Sequence, residues 1–207
     1  KKLDNTNNSF IKYNVDVTSQ SQIQEAIDSI VKKFGTIDIL INNAGAIHNE
    51  PLINILSKKD KKHSLKNFKN YLNINLTSVF IVSAIVIEKM ILSRLKGVVI
   101  NISSISAQGN SGQTVYSAAK AGVEAMTKVW SKELGVHGIR VVAIAPGFMN
   151  TKSTKLALGE VILQDVKSRV PLKTLGDSND VSEAVLFAIK SKYINGKVIQ
   201  VDGGITL

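Results

Sequence analysis

Residues 37–45 read IDILINNAG, and this stretch decides the fold class. Ile37 to Ile41 is a nearly all-apolar run, which is typical of a β-strand buried on both faces. The run ends in Asn42-Asn43-Ala44-Gly45, small and polar residues that favour a tight turn. Such a strand needs helices on both sides to cover it, so the stretch predicts one strand of a parallel sheet in an α/β domain.

The same alternation of helix and apolar strand extends in both directions along the chain. Helices are predicted for Gln22–Phe34, Leu65–Met90 in two pieces, Val115–Leu134 and Ser178–Lys190, and strands for Phe10–Val17, Ile37–Ile41, Gly97–Ile102, Ile139–Ile144 and Lys197–Val201. This order predicts a doubly wound parallel sheet flanked by helices. The polar stretch Asn150–Lys173 lacks the pattern. A length of 207 residues fits one domain, residues 1–207, and is too short for two.

The composition of the chain argues against several classes of protein, namely metal-binding, disulfide-bonded and membrane-spanning proteins. The chain has no cysteine, and its three histidines, at 48, 63 and 137, are scattered, so we expect neither a disulfide nor a metal site. The longest apolar run, Val79–Leu92, is interrupted by polar residues and shorter than the ~20 residues that cross a bilayer, so no membrane span is expected. The net charge of +10 invites nucleic-acid binding, but the lysines are spread and aromatic residues make up 5%, so an acidic partner or substrate explains the charge equally well.

Tyr116 and Lys120 are four residues apart on a predicted helix, so they share one face. A free phenol has a pKa of about 10, and a neighbouring ammonium group lowers that value, so the pair can supply a proton near neutral pH. Such a pair also arises by chance in many helices. The preceding strand, VVINISSIS, brings Ser103 and Ser104 to the same edge of the sheet. A hydroxyl there either stabilises negative charge on a carbonyl oxygen or only satisfies the strand end.

Taken in order, these motifs resemble the short-chain dehydrogenase/reductase family. The matching stretches are NNAG at 42–45, Asn75 in NLTSVF, NISS at 101–104, YSAAK at 116–120 and Pro146-Gly147. Within the family, GNSGQTVYSAAKAG, IRVVAIAPGFM, VPLKTLGDSNDV and YINGKVIQVDGG are most similar to 3-oxoacyl-acyl-carrier-protein reductases. The resemblance implies a Rossmann-type fold and reduction of a 3-oxoacyl thioester in fatty acid biosynthesis, with NADPH as cofactor and NADH not excluded.

The resemblance also implies roles for individual residues. Tyr116 would donate the proton, Lys120 would lower its pKa and hold the ribose, Ser104 would bind the substrate carbonyl, and Asn75 would hold a water molecule. The implied cofactor contacts are Tyr116 and Lys120 together with Asp16, Val17, Asn43, Ala44, Gly45, Pro146, Gly147 and Met149. No metal ligand is implied. Ser103 has the family's usual interval to the tyrosine, but strand register favours Ser104, which we prefer.

Two features depart from the family pattern. No glycine precedes Gly35, so the glycine-rich turn that binds pyrophosphate is absent from this chain, and we expect a Rossmann domain that lacks its first β-α-β-α segment. The lysine-rich segment Ser57–Ser64 is longer than usual. It either docks an acidic acyl carrier protein or is a solvated surface loop, and Arg94, Lys96 and Arg140 match the family's basic patch only loosely.

The resemblance implies a homotetramer or homodimer formed through the Tyr116 helix and an apolar Val79–Ile87 face, with Trp130 on a packing face. The implied compartment is the cytoplasm or the mitochondrial matrix. His48 is expected to be a partly exposed loop residue. Two alternatives stay open: a reductase for another ketone, quinone, sugar or steroid, and a non-catalytic subunit of a reductase complex.

Overall fold

The computed structural model describes residues 10–58, 60–151, 154 and 163–207. Its helices are α1 (Gln20–Phe34), α2 (Leu65–Leu72), α3 (Ser78–Leu92), α4 (Thr114–Leu134) and α5 (Ser178–Lys190), and its strands are β1 (Ile39–Asn42), β2 (Val98–Ile102), β3 (Arg140–Pro146) and β4 (Val198–Val201). Residues 163–169 are also helical. Much of the predicted polar stretch Asn150–Lys173 lies outside the described residues.

The four strands form one parallel sheet in chain order, β1-β2-β3-β4. Ile41 of β1 pairs with Ile100 of β2, and Ile100 pairs in turn with Val142 of β3. Parallel neighbours need crossover connections, and the helices between successive strands supply them. All carboxyl ends therefore lie at one edge of the sheet, as the alternation of helices and strands predicts.

Alternate residues of the central strands feed two separate cores. Val99 and Val141 pack in a cluster with residues of α1, α3 and α4. Ile100 and Val142 face the other way and pack against Val185 of α5. Because both faces are covered, the central strands are apolar throughout, and the predicted Rossmann-like α/β architecture is confirmed.

The first predicted strand, Phe10–Val17, is wrong. Residues 10–16 have no regular secondary structure, and a turn follows them. A strand requires backbone hydrogen bonds to a neighbour, and within the described part of the chain β1 pairs with β2 alone. The outer edge of β1 is open there, with Ile39 and Ile41 43% and 45% exposed. Residues 10–17 thus have the sequence pattern of a strand without a partner to pair with.

The long helical region was predicted in two pieces, but α2 and α3 form one continuous helix, Leu65–Leu92. A π-helical turn, Asn73–Thr77, joins them. By length and hydropathy this helix could cross a membrane, which the sequence prediction had not anticipated. Its buried side, which includes Val86 and Met90, packs in the core, and core helices of soluble proteins meet the same criterion.

The Val79–Ile87 face, predicted to lie at a subunit interface, is largely buried within the chain. Val79, Ile85 and Val86 are buried within the chain itself, whereas Phe80 is 53% exposed. The apolar character of α3 is therefore explained largely by the chain's own core. Trp130 of α4 packs against the same core, as predicted.

Four buried polar side chains tie the sheet to α3 and α4. The Asn42 amide donates to Ser83 Oγ at 2.9 Å and to Asn101 Oδ1 at 2.8 Å, and Asn101 Nδ2 donates to Thr127 Oγ1 at 2.9 Å. Each of these residues is at most 8% exposed. Buried amides are costly unless hydrogen-bonded, so this network fixes the spacing of both helices against β1 and β2.

Replacement of Asn101 by alanine should lower the free energy of unfolding by about 1–3 kcal/mol, because it leaves the partner groups on Asn42 and Thr127 buried without their hydrogen bonds. Asn70 is the matched control, since it is exposed on α2. Asn70→Ala should change stability by less than about 0.5 kcal/mol. Urea unfolding measures both variants, and equal effects would contradict the role given to the network.

Candidate active site

A cavity of about 560 Å³ opens at the carboxyl ends of β1, β2 and β3. Its walls include eight of the residues predicted from the sequence: Asn43, Gly45, Ser104, Tyr116, Lys120, Pro146, Gly147 and Met149. This is the edge at which ligands bind in doubly wound sheets. The topology therefore brings together most of the predicted set, although its members are scattered over a hundred residues of sequence.

Tyr116 lies in the first turn of α4 and is 9% exposed. Burial raises the pKa of its phenol, because a charged phenolate is poorly solvated there, while a hydrogen bond with the Ser104 side chain lowers it. The phenol is therefore protonated at neutral pH. A protonated phenol beside a serine hydroxyl forms a pair of donors that can face one carbonyl oxygen.

Lys120 follows one turn later and is 4% exposed. Its Nζ donates to the Ile102 carbonyl at 2.7 Å and lies 5.7 Å from the centroid of the Tyr116 ring. Burial lowers the pKa of Lys120 to about 8. Lys120 was predicted to lower the tyrosine pKa, but in this arrangement Ser104 does so. The physical reason is that the ammonium group is directed to the end of β2.

The two candidate serines differ in where their hydroxyls point. Ser103 Oγ donates to the Glu124 carboxylate at 2.9 Å, so it is held against α4. Ser104 Oγ accepts from the Ser106 amide at 3.1 Å and reaches the Tyr116 phenol. The hydroxyl next to the tyrosine is thus that of Ser104, the serine that strand register favours.

Asn75 lies in the π-helical turn and is fully buried. Its Oδ1 accepts from the Ala46 N–H at 3.0 Å, and its Nδ2 donates to the carbonyls of Ala46 and Tyr71, each at 2.9 Å. Both amide donors are therefore used by backbone. The side chain fixes the turn after β1, which differs from the water-holding role implied by the resemblance.

Three predicted cofactor contacts lie away from the main cavity. Val17 and Ala44 border a small separate pocket of about 110 Å³ at the edge of β1. The Asp16 carboxylate accepts from the Thr18 backbone amide at 2.8 Å and from its hydroxyl at 2.7 Å, just before α1. These two hydrogen bonds lower the pKa of Asp16.

Gln113 and Asn49 are cavity residues that the sequence reasoning missed. The Gln113 amide donates to Asn49 Oδ1 at 2.8 Å, and the Glu50 N–H donates to the Gly112 carbonyl at 2.7 Å. These contacts join the loop after β1 to the start of α4. Gln113 lies in the same GQTVYSAAKAG stretch as the tyrosine, but only the tertiary contact identifies it.

The predicted basic patch is not at the cavity. Lys96 and Arg140 border a groove at the amino ends of β2 and β3, which is the opposite edge of the sheet. The Arg140 guanidinium donates to the carbonyls of Ala188, Ile189 and Ile194 at 2.8 to 3.0 Å. It therefore caps the end of α5, and its guanidinium donors are used by backbone carbonyls.

A family model described as Enoyl-(Acyl carrier protein) reductase matches residues 1–206. The chain belongs to the short-chain dehydrogenase/reductase family. It is 39% identical over 198 residues to the 3-oxoacyl-[acyl-carrier-protein] reductase FabG of Thermotoga maritima, covering 94% of this chain and 76% of that protein. The FabG of Buchnera aphidicola is 40% identical over 200 residues, covering 95% of this chain and 78% of the relative.

Two further relatives differ in their described activity. The mouse 3-hydroxyacyl-CoA dehydrogenase type-2 is 36% identical over 198 residues, covering 92% of this chain and 75% of that protein. A crystal structure from Agrobacterium tumefaciens, described as a gluconate dehydrogenase, superposes with a TM-score of 0.82 at 31% identity, covering 92% and 73% of the two chains. As a member of this family, the chain is an oxidoreductase that acts on CH–OH or C=O groups and uses a nicotinamide cofactor.

The donor set of the cavity fits a nicotinamide nucleoside. Lys120 places an ammonium group at the wall, with one of its N–H groups used by Ile102, so its other donors are available for ribose hydroxyls. Asn43 adds an amide, and Pro146 and Met149 supply apolar wall for a flat ring. A second cavity of about 690 Å³ shares Asn43, Pro146 and Met149 with the first and extends towards α5.

Gly45 is tightly packed in the site, and its replacement by alanine should disturb the site. An added Cβ would lie 2.9 Å from Asn75 Oδ1 and 3.6 Å from Lys120 Nζ. We expect Gly45→Ala to destabilise the protein by about 1–3 kcal/mol, the usual cost of overpacking. Gly135→Ala is the control, because its Cβ would meet only Asn195 Nδ2, at 3.9 Å. Thermal unfolding of the two variants measures the difference, and a stable Gly45→Ala would refute the tight contact.

Proposed function

We propose that this chain reduces a 3-oxoacyl thioester to the 3-hydroxyacyl thioester, with NADPH as the reductant. The observation that carries the proposal is the convergence of Ser104, Tyr116 and Lys120 on one cavity at the carboxyl edge of the sheet. The identity of 35% or more to several 3-oxoacyl-[acyl-carrier-protein] reductases supports the substrate class.

The nicotinamide, when bound, supplies the hydride to the carbonyl carbon. Charge then develops on the carbonyl oxygen, which needs a hydrogen-bond donor and a proton. Ser104 donates its hydroxyl hydrogen bond to this oxygen. Tyr116 transfers its phenolic proton there, and burial, which raises the pKa of the phenol, keeps that proton in place until the alkoxide forms.

Lys120 holds the ribose hydroxyls and keeps a positive charge beside the tyrosine. Asn43, Gly45, Pro146, Gly147 and Met149 line the cofactor side of the cavity. Asn75 positions this side indirectly, through its hydrogen bonds to Ala46.

The proposed substrate is carried by an acidic acyl carrier protein, and the proposed assembly is a homodimer or homotetramer. Charge complementarity supports the carrier, because Lys58, Lys61 and Lys62 are exposed and near one another in sequence, shortly after the residues that line the cavity. The exposed Phe80 of α3 and Val129 of α4, 53% and 50% exposed, support an interface along these helices.

A second candidate is the oxidation or reduction of another alcohol–carbonyl pair. The mouse 3-hydroxyacyl-CoA dehydrogenase and the Agrobacterium gluconate dehydrogenase favour it, because both share the fold and about a third of their residues with this chain. A substrate panel separates the candidates. Acetoacetyl-CoA tests the proposal, crotonoyl-CoA tests an enoyl reductase, and gluconate with NAD⁺ or NADP⁺ tests a sugar-acid dehydrogenase.

Tyr116→Phe should lower kcat for acetoacetyl-CoA reduction by about 10²–10⁴-fold, because it removes the proton donor. Ser104→Ala should lower it by about 10²–10³-fold, the cost of one oxyanion donor. The rate of NADPH oxidation by the full-length chain measures both effects, with one NADPH oxidised for each product molecule formed.

Ser103→Ala is the matched control, because the Ser103 hydroxyl is held by Glu124. The activity of this variant should stay near that of the wild type. No turnover by the wild type would instead favour the non-catalytic subunit.

The rate of reduction should fall as pH rises above about 8. The pKa of Lys120 is lowered to about 8, so its ammonium group is charged below that pH and neutral above it. Loss of the charge weakens the hydrogen bonds by which Lys120 holds the ribose hydroxyls, because charge-assisted hydrogen bonds are the stronger ones. A profile of kcat/KM against pH measures the fall. Lys120→Arg, which stays cationic, should be slower but should lack the fall near pH 8, and an unchanged profile in this variant would assign it to another group.

A further inference from the structure

Two of the three histidines, predicted to be scattered, meet around one carboxylate. His48 Nε2 lies 2.7 Å from Glu50 Oε2, and His63 Nδ1 lies 3.5 Å from the same oxygen. One ligand atom of each side chain lies within 4.8 Å of the others. His48 does not line the substrate cavity; its ring stacks on Tyr71 at a centroid distance of 4.1 Å.

The cluster lies at the base of a hairpin that runs from Leu52 to His63. Asn54 N–H donates to the Lys61 carbonyl at 2.6 Å, and His63 N–H donates to the Leu52 carbonyl at 2.9 Å. Glu50 Oε1 accepts from the Ser64 amide at 2.8 Å. The three side chains therefore join the two ends of the hairpin, next to the loop residues that line the cavity.

We propose that His48, Glu50 and His63 bind a divalent transition-metal ion of the zinc class, which fastens the Leu52–His63 hairpin to the rim of the active-site cavity. Two imidazoles and one carboxylate form a ligand set that Zn²⁺ accepts in tetrahedral sites with one further position. The side chains of His48 and Glu50 are 18% and 22% exposed, so water has access to that position.

The surroundings hold these ligands in place. Asn67 Nδ2 donates to Glu50 Oε2 at 3.0 Å, and the Tyr71 ring supports His48. Such outer contacts orient metal ligands and tune their affinity.

His63 is the member whose polar atoms are least used by the protein. Its side chain is 6% exposed, and its Nδ1 has only a 3.2 Å contact with the Ser64 carbonyl besides Glu50. Its Nε2 is buried and has no hydrogen-bond partner among the described residues. His63 Nδ1 is therefore the ring nitrogen that faces the other two ligands, and a metal ion bound there would fix the ring proton on Nε2.

The test uses the full-length chain without a polyhistidine tag, stripped with a chelator. Titration with Co²⁺ should give the visible absorption of a tetrahedral site, saturating at one ion per chain, and Zn²⁺ should displace it. Glu50→Gln and His63→Gln should weaken Zn²⁺ binding by more than about 100-fold, beyond the effect of a lost outer contact. His137→Gln, which changes the remaining, exposed histidine, should bind as the wild type does.

His63→Cys separates loss of a ligand from loss of folding. If His63 is a ligand, this variant should still bind Co²⁺ and should gain a thiolate-to-cobalt charge-transfer band, since a thiolate replaces an imidazole. Far-UV circular dichroism of each stripped variant should match that of the stripped wild type. The proposal fails if the wild type binds no more Co²⁺ than Glu50→Gln, if His137→Gln loses as much affinity, or if His63→Cys binds without that band. In those cases Glu50 only joins the two ends of the hairpin through its hydrogen bonds to His48, Ser64 and Asn67.

Discussion

The amide pair Asn42–Asn101 is the contact on which the rest of this structure depends. Both residues lie near the carboxyl ends of neighbouring strands, and their side chains meet inside the protein at 2.8 Å. A buried amide must have its hydrogen bonds, so the pair also needs Ser83 and Thr127. These two partners belong to α3 and α4. The network therefore sets the distance between the sheet and both helices before any ligand is involved.

The position of α4 in turn decides the chemistry of the cavity. With Thr127 fixed, Lys120 and Tyr116 lie about two and three turns earlier on the same helix, against the end of β2. The Lys120 ammonium then meets the Ile102 carbonyl, and the phenol meets Ser104. Both side chains are buried, which raises the pKa of one and lowers the pKa of the other. Desolvation thus brings a tyrosine that keeps its proton together with a lysine that titrates near neutral pH.

Where sequence patterns were incomplete, they did not identify the neighbouring group that a residue or segment contacts in the fold. Residues 10–17 alternate as a strand does, yet no described neighbour pairs with them. The apolar residues of α3 pack mostly in the chain's own core, which the sequence pattern alone did not distinguish from an outer surface. Arg140 matches a basic patch only loosely in sequence, and in the structure its guanidinium caps α5. In each case the sequence pattern shows which kind of contact a residue can make, and the fold decides which group makes that contact.

The sequence by itself determined the α/β class, the four strands of the sheet, the family and most of the residues that line the cavity. It could do so because the periods of helix and strand are local and because parallel strands bring their carboxyl ends to one edge. The tertiary structure alone decided that Ser103 is held by Glu124, that Asn75 holds Ala46, and that His48, Glu50 and His63 meet. These depend on side-chain direction and on contacts between residues distant in the chain, which no local pattern encodes.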